Sequence, residues 1–165
     1  MRAAIACALA LAFAPCAFAL DAGAPLPDLS VPRLEDPAAP LAFASLKGSV
    51  VYVDFWASWC VPCRLSMPAL DALYKQNRAR GFAVVGVNKD VSAADARRFL
   101  AKVPVTFTLV IDAQDAAAKA FDVKAMPSGY LVDRKGIVRK VHRGFTAETA
   151  EALTRDIEAL LKEPS

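Results

Sequence analysis

Val50-Val51-Tyr52-Val53-Asp54-Phe55-Trp56-Ala57-Ser58-Trp59-Cys60-Val61-Pro62-Cys63 decides the fold. The β-branched, apolar run Val50–Phe55 reads as a buried central strand. Pro62 suits the first turn of a helix, expected to run to about Ala79. Two cysteines three residues apart straddle this strand-to-helix turn, where they can close a small disulfide ring or stand as neighbouring thiols. Cys60 then lies among the backbone N–H groups that a helix start leaves without partners, at the positive end of the helix dipole. Both conditions stabilise a thiolate. Such a pair is suited to disulfide exchange.

Downstream, Pro68 falls inside the helix and should kink it, because proline has no N–H and its ring clashes with the carbonyl of Arg64. Gly81 ends the segment. Phe82–Asn88 is the next strand. Ser92-x-x-Asp95 reads as a capping box for a helix to about Lys102. A strand at Phe107–Ile111 and a short helix at Asp115–Phe121 follow. Gly129–Asp133 and Ile137–Val141 form a hairpin around Arg134-Lys135-Gly136. Thr146 caps a last helix to about Lys162. Alternating strands and helices, then a hairpin and a closing helix, give an α/β fold around a mixed sheet.

Upstream, Arg2, the apolar run Ala3–Ala14 and the small-x-small triplet Ala17-Phe18-Ala19 read as a signal peptide over residues 1–19. An uncleaved membrane anchor is the alternative, and Pro15 and the short apolar run argue against it. Cys16 follows a proline and does not resemble a lipid-anchor site. Cleavage removes Cys7 and Cys16, which leaves Cys60 and Cys63 as the mature cysteines. A bridge closing so short a loop adds little global stability, so the pair reads as catalytic. Residues 20–40 carry five prolines and read as a linker in extended form, with short edge strands near Leu29–Arg33 and Leu41–Phe43. The domain proper spans residues 41–163. The net charge is +3, one less without Arg2. That is too small to argue for nucleic acid or an anionic membrane surface.

The segment Val53–Cys63, with Pro68 five residues beyond it, resembles the active-site stretch of thioredoxins. Pro27-Asp28-Leu29, the Phe82–Asp90 stretch and Met126-Pro127-Ser128-Gly129-Tyr130-Leu131-Val132-Asp133 resemble the TlpA/ResA branch of exported thioredoxin-like proteins. The resemblance implies a thioredoxin fold: a central mixed β-sheet flanked by helices, with an N-terminal β extension and an inserted helix–strand unit. It implies that Cys60 attacks a client disulfide and that Cys63 resolves the mixed disulfide. It also implies that Asp54 is a buried acid relaying a proton for Cys63. Read from the residues alone, Asp54 could equally be a strand-end carboxylate paired with a lysine.

Two departures bear on that role. Members of the branch commonly carry asparagine at the Asp54 place and often a glutamate where this chain has Ser66. The lysine that pairs with the aspartate in thioredoxins falls near Gly86 here. Met126-Pro127 matches the cis-proline loop, which presents backbone to substrate. Trp59 is expected as a partly exposed client contact, and Trp56 as either a flank of the site or plain core. His142, Arg64, Arg97, Arg98 and Lys162 read as surface residues.

Val61 and Pro62 tune the potential. Thioredoxin and the oxidant DsbA differ by about 150 mV, roughly 7 kcal/mol for two electrons, and Val-Pro brings neither histidine nor charge to favour oxidation. The expected protein is a monomeric, periplasmic disulfide reductase. Its clients are exported proteins bearing disulfides, as in cytochrome c or copper-site maturation, and its electrons come from a membrane thiol transporter. No cofactor is expected beyond the Cys60–Cys63 pair, and no metal, because zinc would need further ligands. The rival readings are a net oxidase or isomerase and a metal- or haem-delivery module.

Overall fold

The computed structural model describes residues 20–164, so the expected signal peptide at 1–19 lies outside the described residues. The chain order is β1 (Ser30–Val31), β2 (Leu41–Ala42), β3 (Val50–Trp56), α1 (Cys63–Asn77), β4 (Phe82–Asn88), α2 (Ala93–Leu100), β5 (Thr108–Ile111), α3 (Ala116–Ala120), β6 (Ser128–Val132), β7 (Val138–Arg143) and α4 (Ala147–Lys162). Five strands form one mixed sheet in the order β5-β4-β3-β6-β7, and β1 pairs with β2 alone. The expected helix–strand insertion is α2 followed by β5, which extends the sheet beyond β4.

Every residue of β3 is buried, Asp54 included, as befits a central strand covered on both faces. It runs parallel to β4 and antiparallel to β6. Its side chains alternate. Val51, Val53 and Phe55 join one core layer with Phe43, Phe121 and Tyr130. Tyr52 and Trp56 join the other, with Met67 and Leu70 of α1, Phe99 of α2 and Leu153 and Ile157 of α4. The first layer holds an aromatic cluster in which Phe121 meets Phe43, Phe55 and Tyr130 edge to face at 5.4, 5.1 and 4.9 Å. The Tyr130 hydroxyl donates to the Phe121 carbonyl at 2.7 Å, so burial leaves no polar atom of that ring unpaired.

Local rules account for most boundaries. Gly81 terminates the α1 segment at φ 88°, a left-handed conformation that glycine adopts without strain. Thr146 caps α4 by accepting from Thr149 N–H. Ser92 caps α2 through Ala94 N–H, but Asp95 pairs with Arg98 instead of returning to Ser92, so the capping box is only half formed. Helix α1 runs through Pro68 without a break. Among the described residues no helix is long and apolar enough to cross a membrane.

Residues 20–40 are extended, as expected, but are docked rather than free. Gly23 and Leu26 donate to Val138 and Gly136 beside β7, and Leu34 donates to Leu109 on β5. Leu20, Val31 and Leu34 are buried. Each outer strand of a sheet leaves N–H and C=O groups without partners. A segment with dispersed prolines can still pair through its other residues, so the segment straps the sheet from one edge to the other. The expected edge strands near Leu29–Arg33 and Leu41–Phe43 are β1 and β2.

Candidate active site

Strand β3 ends at Trp56, and the chain turns through Ala57–Pro62 into α1. Cys60 and Cys63 are bonded in this structure, with Cα atoms 5.3 Å apart. The turn is held from beneath by Asp90. Its carboxylate accepts from Ser58 N–H at 3.0 Å, Ser58 Oγ–H at 2.9 Å and Asn88 Nδ2–H at 2.9 Å. Lys89 N–H donates to the Trp56 carbonyl at 2.8 Å. Asn88 and Asp90 therefore fix the loop that carries Cys60, a role the sequence reading did not give them. Their signal is a polar Asn-Lys-Asp triplet directly after an apolar strand.

Two expectations for the pair change. A Cys60 that attacks a client disulfide must be reachable, yet in the bonded state it is 4 % exposed and Cys63 is 0 %. The bonded sulfurs turn toward each other and into the core layer that contains both residues. The N–H groups expected to be unpaired are also engaged. Those of Cys63, Arg64 and Leu65 donate to the carbonyls of Cys60, Val61 and Pro62 at 3.0–3.2 Å. In the disulfide state, then, the tight first turn satisfies its own donors, and the helix dipole is left as the main source of positive potential at Cys60. Around the pair, Trp59, Val61 and Leu65 are 65 %, 73 % and 70 % exposed. This apolar rim is able to meet an unfolded or extended chain.

Trp56, by contrast, is fully buried against Phe99, with ring centroids 5.1 Å apart. Arg64, expected as a solvated charge, lies over the Phe99 ring at 5.7 Å.

The Met126–Pro127 peptide is cis, as the sequence led us to expect. Ser128 pairs with Phe55, so the loop enters β6 at the end of the sheet where β3 releases the cysteine turn. The loop is tied on both sides: Gly144 N–H donates to the Pro127 carbonyl at 2.8 Å, and Ser128 Oγ–H donates to the Ala125 carbonyl at 2.7 Å. Met126 packs against the layer containing both cysteines.

Asp54 lies mid-strand, 2 % exposed, on the face of β3 that also carries Tyr52 and Trp56. Its Oδ2 has no hydrogen-bond partner, and neither has Trp56 Nε1. Among the described residues no cation pairs with it. Burial alone drives its pKa well above the ordinary carboxylate value. The strand-end ion-pair reading is therefore set aside.

The register explains the missing lysine, since Asp54 sits directly opposite Gly86 on β4. A Cβ at Gly86 would lie 2.8 Å from Leu109 Cδ2 and 3.1 Å from Trp56 Nε1, so the lysine's place is closed by neighbouring side chains. Ser66 is buried and donates to the Cys63 carbonyl at 3.4 Å, a structural contact where the branch often has an acid. His142, expected at the surface, is half-buried, with Nδ1 3.4 Å from Tyr52 Oη. Among the described residues no group of three or more His, Cys, Asp or Glu side chains is arranged to hold a metal ion.

The Redoxin family profile matches residues 21–161. The chain is 30 % identical to the thiol-disulfide oxidoreductase ResA of Geobacillus thermodenitrificans over 142 residues, covering 86 % of this chain and 79 % of the relative. It is 35 % identical over 128 residues to the thioredoxin-like protein YneN of Bacillus subtilis, covering 76 % and 73 %. Among solved structures it is similar to a Chlorobium tepidum chain assigned as the thiol:disulfide interchange protein DsbE. The TM-score is 0.82 at 41 % identity, covering 87 % of this chain and 99 % of that one.

Proposed function

The chain belongs to the Redoxin family, as a ResA-type thiol-disulfide oxidoreductase, and from that premise we propose that it reduces disulfides of exported proteins in the periplasm. The observation that carries this reading is the layout around the pair. A dithiol couple with neither histidine nor charge between its cysteines sits inside an exposed apolar rim, with a buried, unpaired acid on the layer beneath it.

In the reductive direction, the Cys60 thiolate attacks one sulfur of a client disulfide and expels the other as a thiolate, forming a mixed disulfide. Cys63 gives its proton to Asp54 and attacks Cys60 Sγ, which releases the client's second sulfur. The client gains two electrons and, from solvent, two protons. The protein is left with the Cys60–Cys63 disulfide, which a membrane thiol transporter reduces in turn. Asp54 suits the base role because its raised pKa brings a carboxylate closer to a thiol's range.

Trp59, Val61 and the backbone of Met126 receive the client, and Pro127 shapes that edge. Val61 and Pro62 set a reducing potential. Suitable clients are haem-site cysteines of apocytochromes c or copper-site cysteines, and the protein acts as a monomer that binds no nucleic acid. The signal at residues 1–19 directs export.

Equilibration against a glutathione or thioredoxin couple tests the direction. A potential close to that of thioredoxin, about −270 mV, is expected, whereas one near DsbA's, about −120 mV, would make the protein a net oxidant and overturn the reading.

A further inference from the structure

One row of residues crosses the sheet at Asp54. His142 on β7 pairs with Gly129 on β6, Gly129 pairs with Asp54 on β3, and Asp54 pairs with Gly86 on β4. Paired residues on neighbouring strands project from the same face. In this row the only ionisable side chains are Asp54 and His142, and the residue between them has no side chain.

The space above Gly129 is not empty. A Cβ built there would overlap the hydroxyl of Tyr52. Tyr52 lies two residues before Asp54 on the same strand and face, so its ring leans along β3 and sets Oη over the gap between the two ionisable groups. Oη is 3.4 Å from His142 Nδ1, and the two ring centroids are 6.0 Å apart. Tyr52 is 2 % exposed, whereas His142 is half-buried and reaches the outer strand.

A buried acid that takes a proton in each catalytic cycle must also release it, either back to Cys63 when the disulfide is reduced or outward to solvent, and the outward route needs a carrier. Asp54 has no cation beside it, and Gly86 offers it no polar group. The geometry points to Tyr52 and His142 as a proton relay that connects Asp54 with solvent across Gly129. This rests on the assignment of Asp54 as the base for Cys63. In the disulfide state Asp54 Oδ2 has no hydrogen-bond partner; once protonated by Cys63, the carboxyl turns to donate to Tyr52 Oη while Tyr52 passes its own proton to His142 Nδ1. The imidazolium then loses its Nε2 proton to water. Protons move one place along the chain, the tyrosine is neutral before and after, and no electron is transferred.

The surrounding charges permit this. Burial raises the Tyr52 pKa, and the Asp54 charge raises it further, so the phenol keeps its proton at rest. Burial also lowers the His142 pKa, Asp156 of α4 acts upward and Lys140 on its own strand acts downward, so the ring rests neutral with a nitrogen free to accept. Tyr52 and His142 act on the chemistry only through Asp54, so both are positioning residues.

The test measures reduction of one disulfide peptide by the full protein, from pH 5 to 9, in dilute non-imidazole buffer. The variants are Asp54→Asn, Tyr52→Phe, His142→Gln and the Asp54→Asn/His142→Gln double. The expected result is that His142→Gln and Tyr52→Phe slow the reaction by up to about tenfold at low pH, a fraction of what general acid–base catalysis contributes. Added imidazole should restore His142→Gln but not Asp54→Asn, and the double variant should be no slower than Asp54→Asn alone.

If Asp54→Asn is slow while His142→Gln keeps the wild-type profile, the relay is overturned and Asp54 remains the base. If His142→Gln is slow, not rescued by imidazole and additive with Asp54→Asn, His142 is structural and the relay is again overturned. If all variants behave as wild type, both the relay and the base assignment fall.

Discussion

The two faces of β3 are built from one seven-residue strand and treat polarity in opposite ways. On one face Val51, Val53 and Phe55 meet an aromatic cluster whose only polar side-chain atom, Tyr130 Oη, is hydrogen-bonded. On the other, Tyr52, Asp54 and Trp56 lie under the helices with two buried polar atoms left without partners and glycine on both sides of the acid. The period-two alternation of a strand lets a single segment serve both purposes. The aromatic face supplies packing, and the acidic face holds an unpaired carboxyl under the core layer that also contains both cysteines. Tests that load one face should therefore leave the other largely unchanged.

The largest effect is expected at the chemistry itself. Cys60→Ser should abolish disulfide reduction and trap no clients, while Cys63→Ser should accumulate mixed disulfides, read by non-reducing gels of periplasmic extracts. The reverse trapping pattern would exchange the two roles.

On the aromatic face, Phe121→Ala should cost about 3–5 kcal/mol of stability in denaturant titration. It should leave the alkylation rate of reduced Cys60 unchanged in the protein that stays folded. A changed thiol reactivity would show that the two faces are not independent.

A smaller loss, about 1–3 kcal/mol, is expected for Gly129→Ala, because the new Cβ must displace the Tyr52 hydroxyl and the ring edge that bears it. Tyr52→Leu in the same chain should recover part of it, since the ring carbons Cζ and Cε1 overlap the new Cβ as well as the hydroxyl, and Tyr52→Phe should recover little. Equal stability of Gly129→Ala and wild type would mean that Tyr52 does not sit over this glycine.

The aromatic face was the more legible in the sequence. Valine-rich apolar runs locate β3 and β4, and Thr146 with its following apolar spacing locates α4, because local rules govern each. The cysteine pair and the Met126-Pro127 loop were legible for the same reason, as short contiguous motifs. The acidic face was legible only in part. Asp54 stood out within its strand, but the row joining it to Gly129 and His142 is made by β6 and β7, and cross-strand register is not written in any one segment. His142 therefore read as a surface residue. Residues 20–40 were legible as extended backbone with edge strands, but whether that backbone docks depends on free sheet edges elsewhere. Cys60 proved buried because the exposure of a disulfide follows from how the turn folds over it, which its spacing alone does not reveal.

The opposition of the two faces comes down to the cost of Asp54, and equilibrium unfolding of wild type and Asp54→Asn from pH 4 to 8 measures it directly. An acid whose folded pKa is raised keeps its proton in the native state after the unfolded chain has lost its own. Wild-type stability should therefore fall by up to about 1.4 kcal/mol per pH unit above the unfolded value near 3.9, until the native group ionises. Asp54→Asn lacks that slope, so it should match wild type most closely at pH 4 and exceed it by a margin that grows with pH until the native carboxyl ionises. A constant difference across the whole range would show that Asp54 carries no burial cost, and would contradict the account.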